Sequence, residues 1–304
     1  MKRRDFLKRT ITTGAFAGIA FSLGGRKLLA QTIEEPAYDL VAVKGGLPVA
    51  MFDKAIEAYG GLGKFVKAGN KVVIKPNIGW DATPERAANT NPELIGHLVK
   101  KCLAAGAKEV NVLDYTCDDW QKCYANSGIE KAVKAAGGKM LPANSSQYYK
   151  DVDIPKGKTL KKAKVHEQIL DADVFINVPV LKHHGSTGVS IGMKNLMGIV
   201  QDRRYYHLKG LHQCIADFVS AIKPDLTIVD AYRVMKKNGP RGVSTADVAE
   251  VKSLIMSTDP VAADAAAAKI FGSEPTSVKY INYAHELGVG KKDLASLSIK
   301  RISL

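Results

Sequence analysis

Six short runs punctuate this chain: Leu40 to Val43, Lys71 to Lys75, Val110 to Leu113, Val174 to Val178, Leu226 to Val229 and Leu254 to Ser257. Segments of helical period separate them. Mainly apolar runs of four or five residues suit strands buried on both faces, whereas helices need longer periodic stretches. The helical segments read as Val49 to Tyr59, Pro92 to Ala105, Trp120 to Ala136, Leu211 to Ile222 and the alanine-rich Pro260 to Phe271. In Pro92 to Ala105 the apolar positions Leu94, Ile95, Leu98, Val99 and Leu103 mark one face. Parallel neighbours need a crossover that a helix supplies, so this alternation predicts an α/β fold with a mostly parallel sheet flanked by helices.

Two stretches break the rhythm. Lysine-rich Tyr148 to Val165 turns at Pro155-Lys156-Gly157-Lys158, which predicts a small inserted hairpin subdomain at about 146–166. Residues 179–210 are glycine-rich and too long for a simple connection, as functional loops are. With 304 residues and 46% apolar composition the chain can build a full core, and its composition excludes disorder and coiled coil.

The net charge of +14 is concentrated at the N-terminus, where residues 1–30 carry seven basic side chains against Asp5, leaving +8 for the rest. Lys100, Lys101, Lys131 and Lys134 fall on expected helix surfaces, so the excess reads as solvated faces. No nucleic-acid motif is present, and the basic residues lack interleaved aromatics, so no nucleic-acid partner is expected.

Lys2-Arg3-Arg4-Asp5-Phe6-Leu7-Lys8 is a twin-arginine pattern followed by the weakly apolar stretch Ile11 to Leu23 and by Leu28-Leu29-Ala30. It resembles a Tat signal, departing in Lys2 where Ser or Thr is usual. The expected organisation is a Tat signal peptide at 1–30, a polar linker at 31–37 and one α/β domain at 38–304. The expected location is periplasmic or otherwise extracytoplasmic, with the Tat translocase as a partner during export. Tat cargo crosses already folded, which accords with a cofactor or partner acquired beforehand.

Cys102, Cys117, Cys123 and Cys214 form no C-x-x-C pair, so an iron–sulfur cluster held by this chain alone is not expected. Cys117 and Cys123 could meet as a disulfide or stay as thiols.

Ligands of open parallel sheets bind beyond the carboxyl ends of the strands, which makes the residues just past each run a test for a site. Those residues are Lys75 and Asn77, Asp114, Asn177 with Lys182 and His184, Asp230, and Asp259. The most loaded stretch is Phe175 to Gly198, FINVPVLKHHGSTGVSIGMKNLMG. His183, His184, His207 and His212 fall near Lys182, Lys194, Arg203 and Arg204, a mixture suited to phosphate or carboxylate oxygens. Metal ligation by His184, His207 and His212 is the weaker alternative, because the surrounding cations repel a metal ion. Asp259-Pro260 is also an N-cap signature, and Asp264 reads as solvent-facing or as complementing the helix dipole. No G-x-G-x-x-G, P-loop or G-x-S-x-G motif occurs.

VVIKPNIGW at 72–80, ADVFINVPVLKHHGSTGVSIGMKNLMGIV at 172–200, KPDLTIVDA at 223–231, NGPRG at 238–242 and STDPVAADA at 257–265 together resemble the DUF362 family. The family's lysine, any residue, histidine pattern falls on Lys182 and His184, and its lysine–asparagine pair on Lys194 and Asn195. Many relatives carry a ferredoxin-like cysteine segment that this chain lacks. The resemblance implies one site and no particular reaction.

The leading expectation is an exported protein that binds an anionic small molecule or organic cofactor at the carboxyl edge of its sheet, in the manner of a redox or isomerase-type enzyme. Lys75, Lys182 and Lys194 would hold oxygens, Asn77 and Asn195 would orient the ligand, with Asp259 beside them, and His184, tuned by Asp230, would be acid or base. The alternatives are a non-catalytic partner of an exported redox protein and a His/Asp metalloenzyme.

Overall fold

The structure is a computed structural model that describes residues 38–304. The expected signal peptide and linker, 1–37, lie outside the described residues. The five parallel strands at the centre are β2 (Lys71–Pro76), β3 (Glu109–Val112), β4 (Lys139–Met140), β7 (Val174–Val178) and β10 (Leu226–Met235), in spatial order β10-β7-β2-β3-β4. Beyond β10 come β11 (Val248–Ser257), β1 (Leu40–Lys44) and β12 (Ile299–Ser303). A short extension, β8 (Val180–His184) paired with β9 (Gly188–Ser190), continues alongside the outer half of β10.

Side chains alternate between the two faces, as the strand period of two requires. In β2, Val72 and Ile74 enter one core cluster and Val73 the other, and in β7 Ile176 and Phe175 divide the same way. One face is covered by α1 (Pro48–Ala58), α2 (Pro92–Ala104), α3 (Trp120–Asn126) and α4 (Ile129–Ala135). The other is covered by α8 (Leu211–Ala221), α9 (Pro260–Phe271) and α10 (Lys279–Glu286). Nine consecutive residues of α9, Pro260 to Ala268, are buried. That explains its alanines: a helix covered on all sides needs small side chains to let its neighbours approach.

The α/β class, the mostly parallel sheet and the hairpin all agree with the sequence reading. Three details differ. First, β11 runs antiparallel to both β10 and β1. Only the single 3-10 turn Thr245–Asp247 lies between β10 and β11, too short to carry a crossover, so the chain simply turns back. Second, the single helix expected over Trp120 to Ala136 is two, α3 and α4, broken at Ser127-Gly128, where Gly128 takes φ 73°. Third, the long loop 179–210 contains β8, β9, the single-turn α6 (Gly192–Asn195) and α7 (Arg203–Lys209).

The hairpin is β5 (Tyr149–Asp153) with β6 (Lys162–His166), followed by the short α5 (Glu167–Asp171). Asp217 of α8 fastens it. This fully buried carboxylate accepts from the backbone N–H of Thr159 at 2.7 Å and Leu160 at 2.8 Å, and from Gln213 Nε2 at 2.8 Å. Asp217→Ala leaves the buried Leu160 N–H and the part-buried Thr159 N–H unpaired and should lower stability by about 3 kcal/mol in urea unfolding, with the hairpin becoming the first protease target. A change within experimental error would show that the hairpin is not held this way.

Candidate functional site

At the carboxyl edge of β2, β3 and β7 the chain builds a cleft of roughly 340 Å³. Lys75, Asn77, Asp114, Lys182, His184, Lys194 and Asn195 line it, joined by Cys117, Arg203 and His207. All of the sequence-expected ligand residues except Asp259 therefore meet at one place.

Its floor is a buried amide network. Asn195 Oδ1 accepts from Lys75 Nζ at 2.8 Å and from Asn77 Nδ2 at 2.9 Å, while its Nδ2 donates to Asn177 Oδ1 at 2.9 Å. Asn177 Nδ2 donates in turn to the Gly192 carbonyl at 2.9 Å. Lys182 Nζ donates to Asn77 Oδ1 at 3.0 Å and to the Ala88 carbonyl. The geometry follows from register: Lys75 of β2 sits directly opposite Asn177 of β7.

Lys75 is wholly buried and ion-paired to Asp114 Oδ1 at 2.9 Å. The other oxygen of Asp114 accepts from the Ile78 N–H at 2.6 Å. Burial pulls the Lys75 pKa down and pushes Asp114 up, each opposed by its partner's charge. Gly198 passes so close that a Cβ there would stand 1.8 Å from Asp114 Oδ1 and 2.6 Å from Lys75 Nζ, so only glycine fits.

The remaining cations lack such a partner. Lys182 is 1% exposed and, among the described residues, meets only the neutral oxygens of Asn77 and Ala88. Lys194 Nζ has the Met197 thioether at 4.0 Å and no oxygen acceptor among the described residues. Burial and neighbouring cations bring Lys182 to about 7 and Lys194 to about 8. Arg203 stacks 4.2 Å over the Tyr115 ring and donates to the carbonyls of Tyr115 and Thr116, which brings a third positive charge to the wall.

His184 has its tautomer set by the backbone. Its Nδ1 accepts from the Ser186 N–H at 3.1 Å, so the neutral ring carries its proton on Nε2. Burial, then Lys194 and Lys182, lower its pKa to about 3, so the ring is neutral near pH 7. A neutral imidazole with a free Nε2–H donates to an anionic oxygen and is poorly arranged to abstract a proton. His183, by contrast, accepts from the Gly239 N–H at 3.1 Å and holds the loop whose Pro240 borders the cleft.

Three expected placements need correcting. Asp259 lies at the opposite edge, because β11 is antiparallel: Ser257 pairs with Thr227 near the start of β10. There Asp259 caps α9, accepting from Val261 and Ala262, and also binds the Lys291 N–H. Asp230 does not touch His184. The strand that was expected to end at Val229 continues through it, and its two oxygens accept from the N–H groups of Asn91 and Tyr232, with burial raising its pKa to about 6. His212 stacks on Tyr280 away from the cleft, whereas His184 and His207 both line it. No group of three potential metal-ligating side chains occurs among the described residues.

The sequence reading missed Asp264. Far from facing solvent, it is fully buried and accepts from the first N–H groups of α6, Gly192 at 2.8 Å and Met193 at 3.0 Å. Burial raises its pKa to about 8. Asp264 thus anchors the turn that presents Lys194 and Asn195. Its place four residues after Pro260, the first residue of α9, carried no mark of this role, which depends on a turn some seventy residues earlier in the chain. Cys117 and Tyr115 were likewise unmarked, since they follow β3 in an irregular segment.

With that geometry in view, comparison with known proteins is informative. The model of the domain of unknown function DUF362 matches residues 72–269. The chain belongs to the DUF362 family. The matched span contains every cleft residue named above. The chain is also 26% identical over 254 residues to the thylakoid-associated protein sll1697 of Synechocystis sp., covering 81% of this chain and 77% of that one. Among solved structures it is similar to the lactate racemase apoprotein of Thermoanaerobacterium thermosaccharolyticum, with 14% identity and a TM-score of 0.48 over 75% of this chain and 56% of the other. A Thermotoga maritima protein gives 13% identity and a TM-score of 0.45, over 80% and 60%. The chain thus spans little more than half the length of these two.

Asp114→Ala would strand the Lys75 ammonium in the protein interior. Urea unfolding should show a loss of about 3–5 kcal/mol at neutral pH, the cost of an uncompensated buried charge. A loss below 1 kcal/mol would mean that Lys75 is buried uncharged.

Proposed function

We propose that the protein binds an anionic small molecule, a phosphate- or carboxylate-bearing ligand or organic cofactor, at the carboxyl edge of its sheet. The observation that carries this reading is the pair of ammonium groups, Lys182 and Lys194, that face the cleft without a carboxylate among the described residues to neutralise them. Such groups are costly to bury alone and favourable beside an anion. Asp114, the cleft's carboxylate, is already neutralised by Lys75, so the wall retains the charge of Lys182, Lys194 and Arg203. The Nε2–H of His184 adds a neutral donor, and Asn77 and Asn195 hold Lys182 and Lys75 in register. The same excess of positive charge disfavours the metal reading for His184 and His207.

The sign of the pH dependence follows from the lysines. An anion binds their protonated forms, so affinity is highest below pH 7 and falls as pH rises through about 7 for Lys182 and about 8 for Lys194. Calorimetry with oxalate, whose own charge is constant there, should show weakening by about ten-fold or more between pH 6.5 and 9. Lys194→Met should weaken binding at pH 6.5 by about ten-fold and flatten the profile. Affinity that is constant over this range and unchanged in the variant would overturn the assignment.

We also infer export through the Tat route and an extracytoplasmic location. The twin arginines Arg3 and Arg4 ahead of a weakly apolar stretch support it, and the thylakoid-associated relative is consistent with it. No helix among the described residues is long and apolar enough to cross a membrane. Replacing both arginines by lysine should retain the protein in the cytoplasmic fraction. Undiminished recovery outside the cytoplasm would remove the Tat reading.

A further inference from the structure

One reactive group in the cleft has no part in anion binding as described. Of the chain's four cysteines, Cys102, Cys123 and Cys214 are buried and Cys117 is exposed. Cys117 is placed by its own N–H, which donates to the Gly79 carbonyl at 2.8 Å, and it lines the same cleft as Lys75, Lys182 and Lys194. Arg203 Nη1 reaches its Sγ at 3.4 Å while also donating to the Tyr115 carbonyl at 3.0 Å, and Nη2 fixes the guanidinium on the Thr116 carbonyl at 2.6 Å. A thiol among fixed cations is in the setting in which cysteines act as nucleophiles, whereas buried cysteines are inert.

A second observation makes this a site for a reacting ligand. His184 is 8% exposed, its Nδ1 is occupied by the Ser186 N–H, and its Nε2–H has no partner among the described residues while the ring lines the cleft. Lys194 is a second cleft donor without an oxygen acceptor among the described residues. A ligand with a single carboxylate would occupy one of these two groups. The other suits a second oxygen, on which negative charge develops when a nucleophile attacks the carbon bearing it.

We propose that Cys117 is a nucleophile of the cleft that adds reversibly to the carbonyl carbon of a small oxo-carboxylate held there by its carboxylate. This rests on the anion-binding reading. In the step, the Cys117 sulfur forms a bond to the carbonyl carbon and the C=O π pair moves to oxygen. That oxygen takes up one proton, equal to the one lost by the thiol, to give a hemithioacetal. Nothing is oxidised or reduced. Arg203 steadies the sulfur, and His184 Nε2–H or Lys194 receives the developing alkoxide.

The test uses the full chain and two probes. The first compares alkylation of Cys117 by iodoacetate and by neutral iodoacetamide, followed by peptide mass spectrometry. Cations that steer an anion should make iodoacetate faster by about ten-fold, an advantage lost at high salt and in Lys194→Met. The second adds [2-13C]glyoxylate. The expected result is a protein-bound tetrahedral carbon resonance, distinct from free hydrate and absent in Cys117→Ser, with Cys117 protected from alkylation. Oxalate, which offers carboxylates without an electrophilic carbonyl, separates the two readings. If oxalate binds and slows alkylation but glyoxylate gives no new resonance, the nucleophile is refuted and the anion site stands. If oxalate neither binds nor protects and iodoacetate has no advantage, both fall.

Discussion

The side-chain amide of Asn195 is the contact on which the rest of the cleft depends. It accepts from Lys75 and Asn77 and donates to Asn177, joining the ends of β2 and β7 to the single turn of α6. Buried polar groups are tolerated only when satisfied, and a fully connected network fixes its members in one arrangement. Through Asn77 the network also holds Lys182, so one amide sets the position of two ammonium groups on different strands. The turn itself is fixed by Asp264, whose carboxyl group accepts from its first two N–H groups.

Within that frame the charges have distinct tasks. The Lys75–Asp114 pair is closed on itself, packed against Gly198 and locked by the Ile78 N–H, and so contributes structure and little net field. Lys182, Lys194 and Arg203 remain as the source of positive potential. His184 belongs with the donors, because the Ser186 N–H dictates its tautomer, and burial together with the neighbouring ammonium groups keeps it neutral. A list of lysines and histidines near a strand end does not separate these roles, since the separation comes from which oxygen lies next to each nitrogen.

Much of the architecture was legible in local pattern. The short apolar runs of β2 and β7, buried on both faces, the helical stripe of α2 and the proline-glycine turn of the hairpin are short-range signals, and each appears where the pattern put it. The misplacements of Asp259 and Asp230 share one cause, which is strand direction and extent. Reading β11 as parallel carried Asp259 to the wrong edge, and ending β10 at Val229 left Asp230 at a strand end instead of inside one. Both mistakes arise from the segment between the two strands, where the absence of a helical crossover was the usable signal. Asp264 had no comparable signal, for its partners are backbone N–H groups some seventy residues away.

The sequence by itself determined the α/β alternation, the burial of the strands and the stock of lysine, asparagine and histidine at the carboxyl edge, because these follow from residue periodicity and from the residues that end each strand. Tertiary structure alone decided which lysine is neutralised, which aspartates serve as anchors and that Cys117 joins the cleft. Those outcomes depend on pairings across as many as 120 residues, and the energy of a buried charge is set by the atoms that touch it rather than by its neighbours in the chain.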